Sequence, residues 1–120
     1  DMLYYIYIGS NRVTIDHLSK IAGGMFMAVS SCNKAAKVID GIRERYNTSI
    51  LYEESTPQKD SQNITFLHKR FPRVYIILIT EGLQKEHRKL YLQAGVNNTL
   101  SPMASEESLQ QMTKFLQLRK

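Results

Sequence analysis

The chain lacks most of the features that mark secreted, membrane-spanning or disordered proteins. It contains one cysteine, Cys32, which excludes an internal disulfide and the small disulfide-stapled folds. Its longest apolar stretch, residues 74–79, is far shorter than the ~20 residues of a spanning helix. No basic leader precedes the apolar residues 3–8, and no Pro/Gly/Ser-rich stretch indicates a linker. We therefore expect a cytoplasmic protein that makes no contact with a membrane.

Sequence patterns for cofactors and nucleic acids are also missing. No Gly-rich phosphate loop or nucleophile elbow occurs, and the three histidines lie on separate predicted helices without the spacing of metal ligands. Cys32 has no neighbouring base or cation and is interpreted as a small buried residue. The formal charge of +5 is spread along the chain, which favours solvated helix faces over a nucleic-acid site. The densest basic groups fall on separate predicted helices: Arg43 with Arg45, Lys69 with Arg70, and Arg88 with Lys89.

Apolar runs and amphipathic stretches alternate from one end of the chain to the other. Strands are predicted at residues 3–8, 25–29, 49–53, 74–80 and 98–100. Helices are predicted at residues 13–22, from the N-cap Asn33 to 42, around 64–71, at 84–94 with Gly95 at the C-terminus, and after the N-cap Ser105. Residues 54–61 are predicted to form a polar loop, and the last helix is predicted to bury Leu109, Met112, Phe115 and Leu116.

This alternation predicts one α/β domain over residues 1–120, with a parallel sheet covered by helices on both faces. In the first strand, Tyr5 and Tyr7 are expected on one face and Tyr4, Ile6 and Ile8 on the other. Ligands of such sheets bind at the carboxyl ends of the strands. The loops that follow residues 8, 53, 80 and 100 are therefore the candidate site.

Three stretches of the sequence resemble the receiver domain of two-component response regulators. The first, residues 50–57, is an apolar strand that ends at Glu53 and reaches Pro57 four residues later. The second is the apolar strand that ends at Thr80. The third, residues 91–101, is similar to the family's Ala-Gly-Ala segment and the strand after it. The resemblance covers essentially the whole chain and implies a flavodoxin-like (βα)5 three-layer sandwich with sheet order 2-1-3-4-5.

The resemblance also assigns positions in the candidate site. Receivers bind Mg²⁺ with two acidic residues and accept a phosphoryl group on an aspartate. Here the positions that match the family are Glu53 for the phosphoacceptor, Gly9 and Ser10 for the acidic pair, Thr80 for the hydroxyl, Pro102 for the lysine and Thr99 for the switch aromatic. The metal carboxylates and the lysine are thus absent. We expect no Mg²⁺ binding, no cofactor, no phosphorylation and no enzymatic activity of the domain itself.

Two residues keep alternative interpretations. Glu53 either imitates the phosphorylated state by reaching Thr80, or is an exposed glutamate in an inactive pocket. Thr80 either serves that contact or hydrogen-bonds its own loop, and the second interpretation is favoured.

The expected function is that of a pseudo-receiver in a bacterial signalling or regulated protein. The resemblance implies docking of a protein partner or a second copy on the fourth helix, fifth strand and fifth helix. That face would include Tyr91, Thr99, Met103, Gln110 and Gln111. The receiver-like segment takes up residues 1–120 and leaves no residues for an output domain. An attached output or enzyme domain is therefore expected in a longer protein. The alternatives are a phosphorylatable receiver of a phosphorelay, the first domain of an enzyme such as a sugar transferase, and a flavodoxin-like small-ligand binder.

Overall fold

The computed structural model describes residues 2–118. Five strands alternate with five helices. In chain order the elements are β1 (Tyr4–Ile8), α1 (Arg12–Ile21), β2 (Met25–Val29), α2 (Cys32–Asp40), β3 (Thr48–Glu53), α3 (Pro57–Arg70), β4 (Tyr75–Ile79), α4 (Lys85–Ala94), β5 (Asn98–Leu100) and α5 (Glu106–Thr113). Short 3-10 turns cover Arg45–Asn47 and Lys114–Leu118.

The strands form one parallel sheet in the order β2-β1-β3-β4-β5. Helices pack on both faces, so the predicted α/β class, layer arrangement and strand order are confirmed. Because β1 and β3 are neighbours while β2 lies outside them, the chain reverses direction across the sheet beside these two strands. Such a switch point leaves a crevice at the carboxyl edge. No helix in the described part of the chain is both long and apolar enough to span a bilayer.

Two apolar layers form the core, one on each face of the sheet. Tyr5 and Tyr7 belong to the layer that includes Leu18 of α1 and Leu109 of α5. Ile6 and Ile8 belong to the opposite layer, under α2 and α3. The predicted alternation along β1 is confirmed. Tyr52 on β3 lies in the second layer, so its hydroxyl has different surroundings from the hydroxyls of Tyr5 and Tyr7.

Helix starts account for two differences from the sequence predictions. The polar stretch 54–61 was expected to be a loop, but α3 begins at Pro57 and runs for 14 residues. Proline is favoured at the first position of a helix, because its missing N–H has no partner there anyway. The N-cap of α2 is Ser31, whose side chain accepts a hydrogen bond from Lys34 N, and not Asn33. Both errors concern the first turn, where polar residues resemble a loop.

Helix ends and the last helix agree better with the sequence. Gly95 ends α4 with a φ of +127°, a conformation that favours glycine. Ser105 caps α5 by accepting from Ser108 N, as its position in the sequence predicts. Phe115 is the exception. It was expected in the buried face, but it is exposed and its ring meets the edge of Tyr75 at 5.1 Å between centroids.

Candidate functional site

The carboxyl ends of four strands meet at one edge of the sheet and enclose a cleft of about 580 Å³. The loop after β1 contributes Asn11, β3 contributes Glu53 and Glu54, and β4 contributes Thr80. Pro102 and Met103, which follow β5, close the far side. The structure therefore brings together the loops selected from the sequence.

Glu53 is held by the loop after β1. Its Oε1 accepts a hydrogen bond of 2.6 Å from the Tyr7 hydroxyl and one of 2.9 Å from the backbone N of Asn11. Its Oε2 accepts a longer bond of 3.3 Å from the backbone N of Ser10. Three donors thus satisfy both carboxylate oxygens. The carboxylate is bound by Tyr7 of β1 and by the loop after it. The contact with Thr80 that one of the two interpretations of Glu53 required is not formed, since Thr80 donates to Glu54.

Because Gly9 has no side chain, there is room beside it for the side chain of Glu53. A Cβ atom at position 9 would lie 2.5 Å from both Cβ and Oε1 of Glu53, which is closer than two nonbonded heavy atoms can approach. Gly9 also has a φ of +155°, where side chains are disfavoured. Any side chain at position 9, an acidic one included, is incompatible with Glu53 in this position. The residues at 9 and 53 therefore depend on each other.

Thr80 is hydrogen-bonded to Glu54, the residue that follows Glu53. Its Oγ1 lies 2.7 Å from Oε1 of Glu54 and 3.1 Å from the carbonyl oxygen of Gly82. The hydroxyl has one proton, and the shorter contact to a charged acceptor is the stronger bond. Gly82 N donates back to the Thr80 hydroxyl at 3.1 Å. The expectation that Thr80 hydrogen-bonds its own loop is confirmed, and the hydrogen bond from Thr80 to Glu54 was not predicted.

Two of the three carboxylates in this cleft accept hydrogen bonds from the protein. Both oxygens of Glu53 accept protein hydrogen bonds, and Glu54 accepts from Thr80. Positions 9 and 10 provide no carboxylate. No group of three or more His, Cys, Asp or Glu residues within residues 2–118 is placed to hold a metal ion. The lining of this cleft contains three carboxylates and no lysine or arginine. A second cleft that Glu53 also lines contains one lysine, Lys59.

A second cluster, which the sequence analysis missed, is centred on the buried carboxylate of Asp60. Asp60 of α3 is 1% exposed and accepts hydrogen bonds from three donors. These are the hydroxyl of Tyr52 at 3.0 Å, the hydroxyl of Tyr91 at 2.7 Å and the backbone N of Ser55 at 2.7 Å. The carboxylate thereby joins β3, the loop after it, α3 and α4. Asp60 lies at the i, i+4 and i+7 spacing of Ile64 and Leu67, and this spacing was the available signal.

The tyrosine and cysteine pKa values follow from burial and from these carboxylates. Burial raises the pKa of Tyr7, and the hydrogen bond to Glu53 raises it further. Burial and the carboxylate of Asp60 likewise raise the pKa of Tyr91. Cys32 is only half-buried, which corrects the expectation of full burial, but desolvation still raises its pKa to about 11. Its thiol is therefore protonated at neutral pH and is a poor nucleophile.

Ionisation of these tyrosines is expected to accompany unfolding at high pH. Burial also raises the pKa values of Tyr5 and Tyr52. Because the folded chain keeps protons that the unfolded chain loses above about pH 10, this contribution to stability is complete below pH 10 and falls as the pH rises. An alkaline titration followed by tyrosinate absorbance and circular dichroism should show part of the absorbance change coinciding with the loss of structure. Complete tyrosine ionisation with the circular dichroism intact would contradict this prediction.

Among the residues proposed as a docking face, Tyr91 does not lie at the surface. It is 1% exposed because its hydroxyl reaches Asp60. Thr99, Met103, Gln110 and Gln111 are exposed. Leu92, the next residue of α4, is 57% exposed and was not selected from the sequence. It lines a cleft of about 130 Å³ together with Thr99.

Similarity to known proteins is visible in structure and not in sequence. No protein-family model matches the chain, and no curated protein matches it. A response regulator from Thermotoga maritima superimposes with a TM-score of 0.83 at 10% identity, covering 97% of this chain and 98% of the other. The chain has the fold of a CheY-like receiver domain.

Two further structures place this receiver fold in larger settings. The signal receiver domain of an HD domain-containing protein from Pseudomonas fluorescens Pf-5 matches with a TM-score of 0.80 at 13% identity, covering 98% of this chain and 88% of the other. The receiver domain of the Saccharomyces cerevisiae response regulator Ssk1 was solved together with the histidine phosphotransfer protein Ypd1. That structure matches with a TM-score of 0.67 at 12% identity, covering 94% of this chain and 87% of the other.

Proposed function

We propose that this receiver-fold domain is a regulatory docking module of a bacterial, cytoplasmic signalling protein, and that it works without being phosphorylated. One observation carries the proposal. The side chain of Glu53 occupies the space beside Gly9 and is bound by Tyr7 and by two backbone N–H groups. Both oxygens of Glu53 already accept hydrogen bonds from the protein, and these bonds compete with an incoming phosphoryl group.

The charges of the cleft support the same proposal. Phosphoryl transfer is accelerated mainly by positioning and by neutralising the developing negative charge. The cleft presents Glu53, Glu54 and Glu81 without a basic side chain in its lining. The position matched to the family's lysine is Pro102, which has no charge to offer. The cleft therefore repels an anionic phosphodonor.

Docking is proposed on the face formed by α4, β5 and α5, with a second copy of the chain as the partner. Leu92 and Met103 are each 57% exposed, so this face presents two large apolar side chains that a partner would cover. The exposed charges of the two helices are complementary, because α4 carries Lys85, Arg88 and Lys89 while α5 begins with Glu106 and Glu107. In a two-fold dimer the α4 of each copy would face the α5 of the other.

Sedimentation velocity with and without Mg²⁺ and acetyl phosphate tests both parts of the proposal. The chain is expected to self-associate at high micromolar concentration, with the same distribution in both buffers. Leu92→Glu should shift the distribution to monomer, because it places a charge in an apolar contact. Met27→Glu is the matched control, since Met27 is an exposed apolar residue on the opposite edge of the sheet.

Two results would contradict the proposal separately. A monomer at high micromolar concentration would argue against the second copy as partner. A distribution that changes only when Mg²⁺ and acetyl phosphate are both present would show that the domain is phosphorylated. An attached domain is also proposed, as in the HD domain-containing protein whose receiver domain has this fold. It would receive the regulatory signal.

A further inference from the structure

Four arginines that are scattered in the sequence meet at the amino edge of the sheet, opposite the cleft around Glu53. Arg43 and Arg45 follow α2, Arg70 ends α3, and Arg73 precedes β4. A cleft of about 410 Å³ lies among them. Its lining is formed by Asp40, Gly41, Ile42, Arg43, Arg45, Tyr46 and Arg73. The sequence interpretation assigned these basic groups to separate solvated helices, whereas the fold brings them together.

Two of the arginines are held in place by their neighbours. Arg70 Nη2 donates to Asp40 Oδ2 at 2.6 Å, and Arg45 Nη2 lies 3.9 Å from Asp40 Oδ1. The two guanidinium groups also lie over the ring of Phe71, at 5.2 Å for Arg45 and 5.4 Å for Arg70. Stacking and the shared carboxylate reduce the conformational entropy that ordering these side chains on a ligand would cost.

The cleft carries more positive charge than the C-termini of α2 and α3 alone account for. The lining of the cleft contains three arginines and one carboxylate, Asp40, an excess of two positive charges. A helix C-terminus attracts cations, but this effect fades beyond the last turn. Arg43 and Arg73 lie outside α2 and α3. Arg43 forms no ion pair within residues 2–118.

We propose that this cleft binds a phosphate ester of nucleotide size. Guanidinium groups match phosphate oxygens with paired hydrogen bonds, and three arginines with an excess of two positive charges suit a diphosphate. Ile42 and the ring of Tyr46 supply an apolar wall for the organic part of the ligand. The volume lies in the range of small-molecule sites. The site is independent of the cleft around Glu53 and of the docking face.

Calorimetric titration at low salt tests the site with three probes: adenosine diphosphate, inorganic pyrophosphate and adenosine. Adenosine diphosphate is expected to bind saturably and more tightly than pyrophosphate, and adenosine alone should not bind. Arg43→Gln should weaken adenosine diphosphate binding about tenfold, the usual cost of a lost hydrogen bond to a charged group. Arg12→Gln removes one exposed arginine at the start of α1, at the carboxyl edge of the sheet, and should leave the affinity unchanged.

Each other outcome overturns the proposal. Absence of saturable binding at millimolar adenosine diphosphate would show that the arginines serve only the fold. Equal weakening by Arg43→Gln and Arg12→Gln would show general attraction by a basic surface. Pyrophosphate binding as tight as that of adenosine diphosphate would show that the organic part is not recognised.

Discussion

Asp60→Ala is expected to lower the free energy of unfolding by about 3 kcal/mol. The substitution removes the acceptor of three buried or part-buried donors, namely the hydroxyls of Tyr52 and Tyr91 and the backbone N of Ser55. Each buried donor left without a partner costs about 1–3 kcal/mol, and loss of the desolvated carboxylate offsets part of the sum. Chemical denaturation followed by circular dichroism measures the difference.

Two further variants test whether the effect of Asp60→Ala comes from the lost hydrogen bonds. Asp60→Asn should cost less than Asp60→Ala, because the amide oxygen can still accept from Ser55 and Tyr91 while its NH₂ group faces the Tyr52 hydroxyl. Asp16→Ala is the control for losing an aspartate. Asp16 is exposed and pairs only with Lys20 of the same helix, so its loss should change stability by less than about 0.5 kcal/mol. Equal effects of Asp60→Ala and Asp16→Ala would show that the buried cluster contributes nothing.

Gly9→Ala is expected to destabilise the fold by about 3 kcal/mol. The new methyl group would lie 2.5 Å from Glu53 Cβ, and overpacking of this kind costs about 1–3 kcal/mol. Strain at the φ of Gly9 adds about 1 kcal/mol. Gly82→Ala is the matched control. A Cβ at position 82 meets no atom within 4 Å, so its effect should stay within about 0.5 kcal/mol.

The same substitution tests whether positions 9 and 53 depend on each other. Glu53→Ala removes the carboxyl group but leaves Cβ, so it should relieve only part of the clash in a Gly9→Ala background. A coupling energy of about 1 kcal/mol between the two sites is therefore expected from a double-mutant cycle. Additive effects would mean that Gly9 is required by its backbone or by the Cβ atom at position 53, and not by the carboxyl group of Glu53.

Local patterns were sufficient for the strands and most helix ends, whereas the order of the strands was implied by the resemblance. The uninterrupted run at β4 and the alternation of Tyr5 and Ile6 along β1 depend on period and burial, which the sequence displays directly. Gly95 and Ser105 were also predictable, because each satisfies a local backbone requirement. The start of α3 at Pro57 was not predictable, because the polar residues of its first turn have the composition of a loop.

The contacts of the candidate site depend on tertiary structure and could not be predicted in the same way. Glu53 and Glu54 are adjacent and chemically identical, and only the positions of the Asn11 amide and the Thr80 hydroxyl decide which donor each binds. One of the two interpretations of Glu53 required it to reach Thr80, and the neighbouring Glu54 makes that contact instead. Convergence of Arg43 with Arg73 likewise depends on how the loops pack, not on any spacing in the chain.

The proposal that this receiver fold is not phosphorylated is tested most directly by titrating the chain with beryllofluoride in the presence of Mg²⁺. Beryllofluoride imitates a phosphoryl group on a carboxylate, and two-dimensional amide NMR reports on the loops around Glu53 and Thr80. We expect no saturable shift of the Ser10, Asn11 or Gly82 amides, because the donors already bind Glu53 and Thr80. A saturable, Mg²⁺-dependent shift of these amides would contradict the account.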